Sequence, residues 1–514
     1  MSVDLFTFSR ALPPEDRRIA AAFALSCLLH AAAGGVGNTT LAVEAAMQLH
    51  QAGGARGNST CLIDLDFDND ACADFLDVEP RLDWKSIGPA GERLDEQMLE
   101  VMLSRHASGV NLVAAPARPA LTPVLLALLA LLSAFTPLSI DMSLPALPVI
   151  TQDLRGSVGD IQLTLSAFMI AFGAGQVFYG PAGDRFGRRP VILTGIAVYV
   201  VASIGCAFAA SAGHLITLRF LQGLAACGGV VLARTMVRDL AERDQAARAM
   251  SLMHACSSIA PMLAPLIGGQ VLWFLGWRAI FWVLAGIGVI AWLAAYLRLP
   301  ETLRPEYRQP LHLGSVVSRF GELLKHRAFM GYALTGTFQF SALMSFLSGS
   351  PFVFIQTYGI DPRAFGLIFG GQVMFLTMGS LLNAKFAPVF GAGRILYWGV
   401  CVPLVAGPSA LILGLIEVRT GAIGLWPFLA CFIAQIASIS MIGANSMALA
   451  LQRYPHMAGT ASSLMGVLQF GIGALFGIVV GQTFDGTILP MVLAMGISGL
   501  LCFVSNRVLV GREY

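Results

Sequence analysis

The sequence predicts an all-α membrane protein with twelve transmembrane helices in two six-helix bundles, preceded by a small, partial α/β segment. Hydrophobic residues make up 56% of the chain and charged residues 12%, about half the usual charged share. Of the 30 acidic residues, 16 lie before residue 119 and only 14 in the longer remainder. The chain therefore divides into a polar front segment, residues 1–118, and a membrane-embedded part.

The front segment is predicted to alternate strands with helices. An apolar stretch at 22–30 leads into a glycine turn at 34–37, a helix at 39–52 and a strand within "CLIDLDFDND" at 61–70. Another helix is predicted around 92–105, and "GVNLVAAP" at 109–116 is typical of a buried strand.

Three stretches of this segment, "GGVGNTT", "IDLDFD" and "LSRHASGVNLVAAP", resemble the start of the ParA/MinD-type ATPases, most closely the CpaE/TadZ pilus-assembly group. A phosphate loop holds its ligand with backbone amides and a lysine, but Asn38 stands at the lysine position. We therefore interpret the segment as the degenerate relic of a gene fusion or of a misplaced start. No cofactor or metal is predicted for the remaining loop residues, which are Gly34, Gly35, Gly37 and Thr39.

The membrane part contains apolar runs of about 20 residues or more, each long enough to cross a bilayer. They predict spans near 121–150, 161–182, 190–211, 213–234, 249–273, 277–298, 329–356, 365–387, 394–416, 423–451, 457–483 and 486–507.

The longest and most charged gap separates the sixth span from the seventh. It predicts bundles at 119–299 and 329–514, joined by a cytoplasmic linker at 300–328. "GPAGDRFGRRPVIL" follows the second span, and "NAKFAPVFGAGRIL" follows the eighth, at the corresponding place of the other half. Duplicated halves around a central site are typical of transporters.

Positive charge predicts the orientation of the spans. If the sequence before the first span is cytoplasmic, the inner loops and the C-terminus hold 18 Lys and Arg residues and the outer loops hold four. Both termini are therefore predicted to be cytoplasmic. The net charge of +2 is spread without a concentrated basic face, so no nucleic-acid partner is expected.

Two full charges lie well within predicted spans, Asp141 in the first and Arg219 in the fourth. A charge inside a membrane costs about 2.5–3.5 kcal/mol on insertion scales, so it commonly marks a function. By depth, the two side chains are expected at the same level of a cavity, where Asp141 is a candidate proton carrier. The alternatives are a static structural pair, or a cap at the kink between Pro137 and Pro145.

Weaker candidates for a substrate cavity are Gln222 in the fourth span and three residues of the tenth span. Gln435, Ser438 and Asn445 fall near one helical face, where they would either contact a polar part of a substrate or bond a neighbouring helix.

The stretch "GPAGDRFGRRP" at 180–190 is predicted to form an ordered inner loop. Its spacing, G-x-x-x-D-R-x-G-R-R, combines two glycines for tight turns with an acid and three arginines. These are Gly180, Asp184, Arg185, Gly187, Arg188 and Arg189.

Residues 121–508 resemble the major facilitator superfamily, specifically the Bcr/CflA drug-resistance transporters. "PLSIDMSLPALP" in the first span, "GPAGDRFGRRP" after the second, "LRFLQGLAACGGVVLAR" in the fourth and "APMLAPLIGGQ" in the fifth carry the resemblance. It implies a non-enzymatic, monomeric exporter of small hydrophobic compounds in the bacterial inner membrane, driven by proton entry and alternating access.

The resemblance also implies roles for particular residues. The 180–190 motif would form an inner gate, and Arg219 with Gln222 would take part in proton coupling. Pro265, Gly268 and Gly269 match an antiporter motif in the fifth span. The alternative functions are a membrane-anchored, ATPase-like pilus-localisation module and a facilitator or symporter that imports a small solute.

Overall fold

The computed structural model describes residues 61–63, 104–105, 111–113, 121–241, 243–303, 308, 313–454 and 457–511. The chain divides into two units, Met1–Ala120 and Leu121–Tyr514.

The described residues of the first unit form a three-stranded sheet in the order β1-β3-β2. Strand β1 (Cys61–Ile63) pairs in parallel with β3 (Asn111–Val113), and β2 (Ser104–Arg105) pairs with β3 in the antiparallel sense.

Strands β1 and β3 lie within the two stretches predicted as strands. The predicted helix around 92–105 is wrong at its end, because residues 104–105 pair with β3. Cross-strand pairing here overrides local helical preference, as is common for short segments. The predicted glycine loop (Gly34, Gly35, Gly37 and Thr39) and the helix at 39–52 lie outside the described residues.

The described residues of the second unit form helices and short connections without strands, and twelve of the helices are long and apolar enough to cross a membrane, as predicted. The spans are Pro123–Asp153, Val158–Phe186, Arg188–Ala207, Ala212–Leu240, Arg248–Leu275, Trp277–Arg298, Arg327–Thr357, Pro362–Phe390, Ala392–Thr420, Trp426–Gln452, Ala458–Gln482 and Leu489–Val510.

Three spans are built from more than one helical piece. The first consists of a helix (Pro123–Asp141), a 3-10 turn (Leu144–Ala146) and a short helix (Leu147–Asp153). The seventh (Arg327–Pro351) and twelfth (Leu489–Val504) each end in a π-helical turn, Phe352–Thr357 and Ser505–Val510. The helix of the fifth span begins at Arg243, and a helix at Leu313–Lys325 occupies part of the predicted linker.

The predicted loop at 180–190 is a sharp corner between two helices. The second span continues to Phe186 and the third begins at Arg188, so Gly187 is the only residue between them. Gly187 has a φ of 99°, and Gly391, between the eighth and ninth spans, has a φ of 86°. Glycine adopts these angles without steric cost, which explains the ending shared by the two repeat stretches.

The second and eleventh spans join the two halves through small residues. Gly159 faces the Gln482 side chain, Gly481 faces Gln162, and Gly173 faces the Cβ of Phe470. Glycines at helix interfaces allow close approach, and packing of this kind holds membrane helices together without a hydrophobic driving force.

The fifth and eighth spans also contact each other across the two halves. A Cβ added at Gly366 would lie 2.8 Å from the Pro265 carbonyl oxygen, and one added at Gly269 would lie 3.1 Å from the Pro362 carbonyl oxygen. Beside them, the Arg363 guanidinium stands over the Trp273 ring, 4.0 Å from its centroid.

The contacts between the second and eleventh spans and those between the fifth and eighth spans extend from one end of the bundle towards its middle. We call this end, which carries Gly159, Asp361 and Gln482, the Gly159 end, and the opposite one the Arg188 end. Among the described residues near the Arg188 end, a Cβ added at Gly180 or Gly459 would meet nothing within 4 Å. The contacts between the halves described here include the Gly159 end, and Gly466 facing the Gln176 side chain continues them past the middle of the bundle.

Candidate functional site

Asp141 lies where the first span is interrupted. It is the last residue of the helix Pro123–Asp141, and only 4% of its surface is exposed. Pro145 lies in the 3-10 turn that follows. No hydrogen bond or ion pair reaches the Asp141 side chain from the described residues. The site therefore contains a buried carboxyl group without a partner.

Arg219 is buried in the fourth span, with 1% of its surface exposed. Its Nη1 donates to the Ser139 carbonyl oxygen at 2.9 Å and to Gln222 Oε1 at 2.7 Å. The guanidinium also lies 4.8 Å from the Phe168 ring centroid and 5.8 Å from that of Phe281.

Within the described part of the chain no ion pair joins the Asp141 and Arg219 side chains, so the alternative of a static pair is not observed. Arg219 instead bonds the backbone two residues before Asp141. The helix ends at Asp141, and the last carbonyl groups of a helix lack intrahelical donors. The Ser139 carbonyl is therefore available to the guanidinium.

Gln222 extends the contacts of Arg219 to the third span. Its Nε2 donates to Ser203 Oγ at 2.7 Å, and the Ser203 hydroxyl donates to the Tyr199 carbonyl oxygen at 2.7 Å. The Tyr199 hydroxyl lies 2.7 Å from Ser139 Oγ. The sequence analysis missed Ser139, Tyr199 and Ser203, because none of them stands out within an apolar stretch.

The 180–190 motif forms an ionic cluster at the Arg188 end. Arg188 Nη1 lies 2.5 Å from Asp184 Oδ1, and Arg188 Nε lies 3.4 Å from Asp239 Oδ2. Asp239, at the end of the fourth span, also accepts a bond from Thr302 Oγ1 at 2.9 Å. The cluster ties together the ends of the second, third and fourth spans.

Glu301, just beyond the sixth span, completes this cluster. Its carboxylate accepts the backbone N–H of Arg188 at 2.9 Å and that of Arg189 at 3.3 Å. An acidic group at a helix N-terminus satisfies backbone donors and complements the helix dipole. The other two arginines of the motif face aromatic residues: Arg189 Nη2 donates to the Tyr296 carbonyl oxygen, and Arg185 lies over Phe186.

The fifth-span motif lies between Asp141 and the other half. A Cβ at Gly268 would collide with the backbone of Met142, the residue after Asp141. One helical position further, Gly269 packs against Pro362 of the eighth span. The carbonyl of Pro265 packs against Gly366.

The tenth-span candidates do not form one site. Gln339 Nε2, from the seventh span, donates to the Gln435 carbonyl oxygen at 2.9 Å and to Ser438 Oγ at 3.1 Å. Asn445 Nδ2 instead donates to Asn383 Oδ1 of the eighth span at 2.6 Å. These three residues therefore bond neighbouring helices in this structure.

Outside the spans, Asp361 caps the eighth helix. It accepts the backbone N–H of Arg363 at 2.8 Å and Arg363 Nε at 3.2 Å. These bonds, the backbone one first, hold the pKa of Asp361 below its usual value. Burial, followed by the nearby Glu417 carboxylate, raises the pKa of Tyr358 to about 12.

Twelve spans in two halves, with a buried carboxyl group beside their contact, are the features of a membrane transporter. A model of the Major Facilitator Superfamily matches residues 129–478, and the chain belongs to this superfamily. It is therefore a multi-pass membrane transporter and not an enzyme.

Curated relatives include drug-resistance proteins. The chain is 33% identical over 385 residues to a bicyclomycin resistance protein homolog of Haemophilus influenzae, a match that covers 75% of this chain and 96% of the relative. It is 32% identical over 379 residues to a chloramphenicol resistance protein of Pseudomonas aeruginosa, covering 71% and 87%.

Solved transporters share the fold at low sequence identity. The nucleoside transporter NupG superposes with a TM-score of 0.60 at 14% identity, covering 75% of this chain and 98% of that one. A D-xylose-proton symporter superposes with a TM-score of 0.59 at 14% identity, covering 75% and 97%.

Proposed function

We propose that this chain is a proton-coupled antiporter that exports small hydrophobic drugs or metabolites across the bacterial inner membrane by alternating access. The observation that carries this proposal is the buried Asp141 at a break in the first span, whose carboxyl group has no partner among the described residues. The curated relatives named for bicyclomycin and chloramphenicol resistance support the class of cargo.

Asp141 is the proposed proton carrier. A carboxyl group within a membrane span is costly when charged, and such groups commonly form proton pathways. In the proposed cycle, a proton from the outer side adds to the Asp141 carboxylate, and the same proton leaves to the cytoplasm after the halves have moved. Arg219 keeps its charge throughout and organises the helix end that carries the acid.

The fifth span is the proposed link between proton binding and movement of the halves. It contacts the residue after Asp141 through Gly268, and it contacts the other half through Gly269 and Pro265. Opening the Gly159 end separates the fifth span from the eighth, and this changes the packing beside Asp141. Positive-charge asymmetry supports a periplasmic Gly159 end and cytoplasmic termini.

The cluster around Arg188 is the proposed inner gate. Asp184, Asp239 and Glu301 hold the ends of four spans of one half as a unit. A unit of this kind moves as a rigid body, as alternating access requires. In the other half, Gln435 is the tenth-span residue proposed to contact cargo, since its buried Oε1 has no partner among the described residues.

No nucleotide-dependent activity is proposed for residues 1–118. Their resemblance to ParA/MinD-type ATPases lacks the lysine that reaches the outer phosphates, since Asn38 stands there. The proposal is a monomer that uses protons and the lipid bilayer, with no further cofactor.

The test is chloramphenicol accumulation in an efflux-deficient bacterium that expresses the full chain. The wild-type protein should lower accumulation, and a protonophore should abolish this effect. Asp141→Asn should behave like cells without the transporter. Asp485→Asn is the matched control, because among the described residues this exposed acid bonds Thr487 alone, and it should export normally. Full export by Asp141→Asn would exclude Asp141 as the proton carrier.

A further inference from the structure

Arg219 is held by a backbone carbonyl group at the end of the first helix. Where the first helix ends, the carbonyl groups on either side of Ser139 accept backbone N–H groups from the following turn. The Ser139 carbonyl accepts Arg219 Nη1 instead, at 2.9 Å. The guanidinium therefore replaces a missing backbone donor two residues before Asp141.

The hydrogen bonds continue from Arg219 and return to Ser139. Arg219 donates to Gln222, which donates to Ser203, which donates to the backbone of Tyr199. The phenol of the same tyrosine reaches the Ser139 side chain. All five residues are buried, with at most 1% of their surface exposed. We call this closed path through the first, third and fourth spans the Arg219 ring.

Each hydroxyl group in the ring has a defined donor direction, because a hydroxyl carries one proton. The Ser139 hydroxyl donates to the Phe135 carbonyl oxygen at 2.6 Å. The Tyr199 hydroxyl must then be the donor in its 2.7 Å contact with Ser139. In the same way, the Ser203 hydroxyl donates its one proton to the Tyr199 carbonyl oxygen. Ser203 Oγ can therefore only accept from Gln222, which directs the amide oxygen of Gln222 to the guanidinium.

This arrangement leaves the guanidinium with unused donors. Nη1 serves both acceptors, whereas the buried Nη2 has no partner among the described residues. The rings of Phe168 and Phe281 contact the guanidinium through their faces. The ring thus holds the charge next to the end of the Asp141 helix without an ion pair.

We propose that Tyr199 is a positioning residue for proton coupling, whose hydroxyl group acts through the Ser139 side chain to keep Arg219 on the Ser139 carbonyl. The inference rests on the proposed function, since it presupposes that Asp141 carries the proton. When the ring is opened, the guanidinium can exchange this neutral acceptor for the carboxylate of Asp141, two residues further along the first span, because charge-assisted bonds are the stronger ones. An Asp141–Arg219 pair would then hold the acid as a carboxylate and prevent proton uptake.

The experiment uses the full chain in proteoliposomes with chloramphenicol as the probe. Tyr199→Phe keeps the packing of the ring against Phe135, whose centroid lies 4.8 Å away, and removes only the hydroxyl group. Ser203→Ala opens the ring at a second point. Tyr179→Phe is the matched control, because the Tyr179 hydroxyl has no hydrogen-bond partner in the described part of the chain.

Two modes of transport separate coupling from structure. Proton-driven transport requires Asp141 to exchange its proton, whereas chloramphenicol counterflow requires no net proton movement. Tyr199→Phe and Ser203→Ala should lose about tenfold or more of the proton-driven rate, as expected for a rearranged charge-assisted bond. Both variants should keep the counterflow rate, and Tyr179→Phe should keep both rates.

Two results would overturn the inference. In one, both ring variants drive transport with protons as fast as the wild type. In the other, the variants lose both modes equally, which is what a merely structural role produces. Asp141→Asn, measured alongside, separates this inference from the proposed function. If Asp141→Asn keeps proton-driven transport, the proposed function fails. If it loses proton-driven transport while Tyr199→Phe does not, only the role of Tyr199 fails.

Discussion

The contact between the fifth and eighth spans makes a sharp prediction for Gly366→Ala. The added Cβ would lie 2.8 Å from the Pro265 carbonyl oxygen and 3.1 Å from its carbonyl carbon. Both neighbours are backbone atoms, so no side chain can rotate away. Overpacking of this kind costs about 1–3 kcal/mol.

This cost applies only while the Gly159 end is closed, since Gly366 and Pro265 belong to different halves. A destabilisation of about 1–3 kcal/mol shifts a two-state equilibrium by roughly 5- to 150-fold. We therefore expect Gly366→Ala to populate a state in which the Gly159 end is open. Gly371→Ala, on the same helix, should have no effect, because its Cβ meets nothing within 4 Å.

The assay is a distance measurement between spin labels across the halves. Gln152 and Thr483 are exposed at the Gly159 end, one in each half, and cysteines introduced there can be labelled once the native ones are replaced. Gly366→Ala should add a population with longer distances, and Gly371→Ala should reproduce the wild-type distribution. If both variants give the wild-type distribution, the contact between the two backbones does not control opening.

Three further predictions concern the ends of the bundle. Trp273→Ala removes a partly exposed cation–π contact of about 0.5–1 kcal/mol, so the same labels should report a small shift towards longer distances; an unchanged distribution would contradict it. Glu301→Gln should lower thermal stability in detergent by about 0.5–2 kcal/mol, since it weakens the cap on the third helix; an unchanged melting temperature would show that the cap contributes little. The pKa of Asp361 is lowered in the folded state, so the stability that its bonds provide is present at neutral pH and disappears as the pH falls through that lowered value. Asp361→Asn should therefore reduce the acid-induced loss of thermal stability, and an identical loss in both proteins would contradict this assignment.

Hydropathy was sufficient to predict the spans. A bilayer requires about 20 apolar residues and a fully bonded backbone for each crossing, and this leaves little freedom to the chain. The positions of Asp141 and Arg219 were predictable for the same reason, since a charge within a span is rare.

The contacts of these charges were not predictable from the sequence. Arg219 bonds a carbonyl group that becomes available only because the first helix breaks at Asp141. Tyr199 lies in an apolar run, where nothing distinguishes it from a packing residue until the third span is placed beside the first. Bonds to the backbone leave no signature in the identity of the residue that accepts them.

The inner motif was identified by its spacing, but its conformation was misjudged. Two glycines and three arginines suggested a loop, whereas only Gly187 leaves the helical conformation. Glu301, which caps the following helix, lies more than a hundred residues further along the chain. Local sequence patterns cannot predict a contact across that separation.

Proton release on cargo binding tests the central claim most directly. Purified full-length protein in a weakly buffered solution would be mixed with chloramphenicol while the pH is recorded. The account predicts that the wild-type protein releases protons on binding and that Asp141→Asn binds without releasing them. Equal proton release from both proteins would contradict an exchange of cargo for the proton on Asp141.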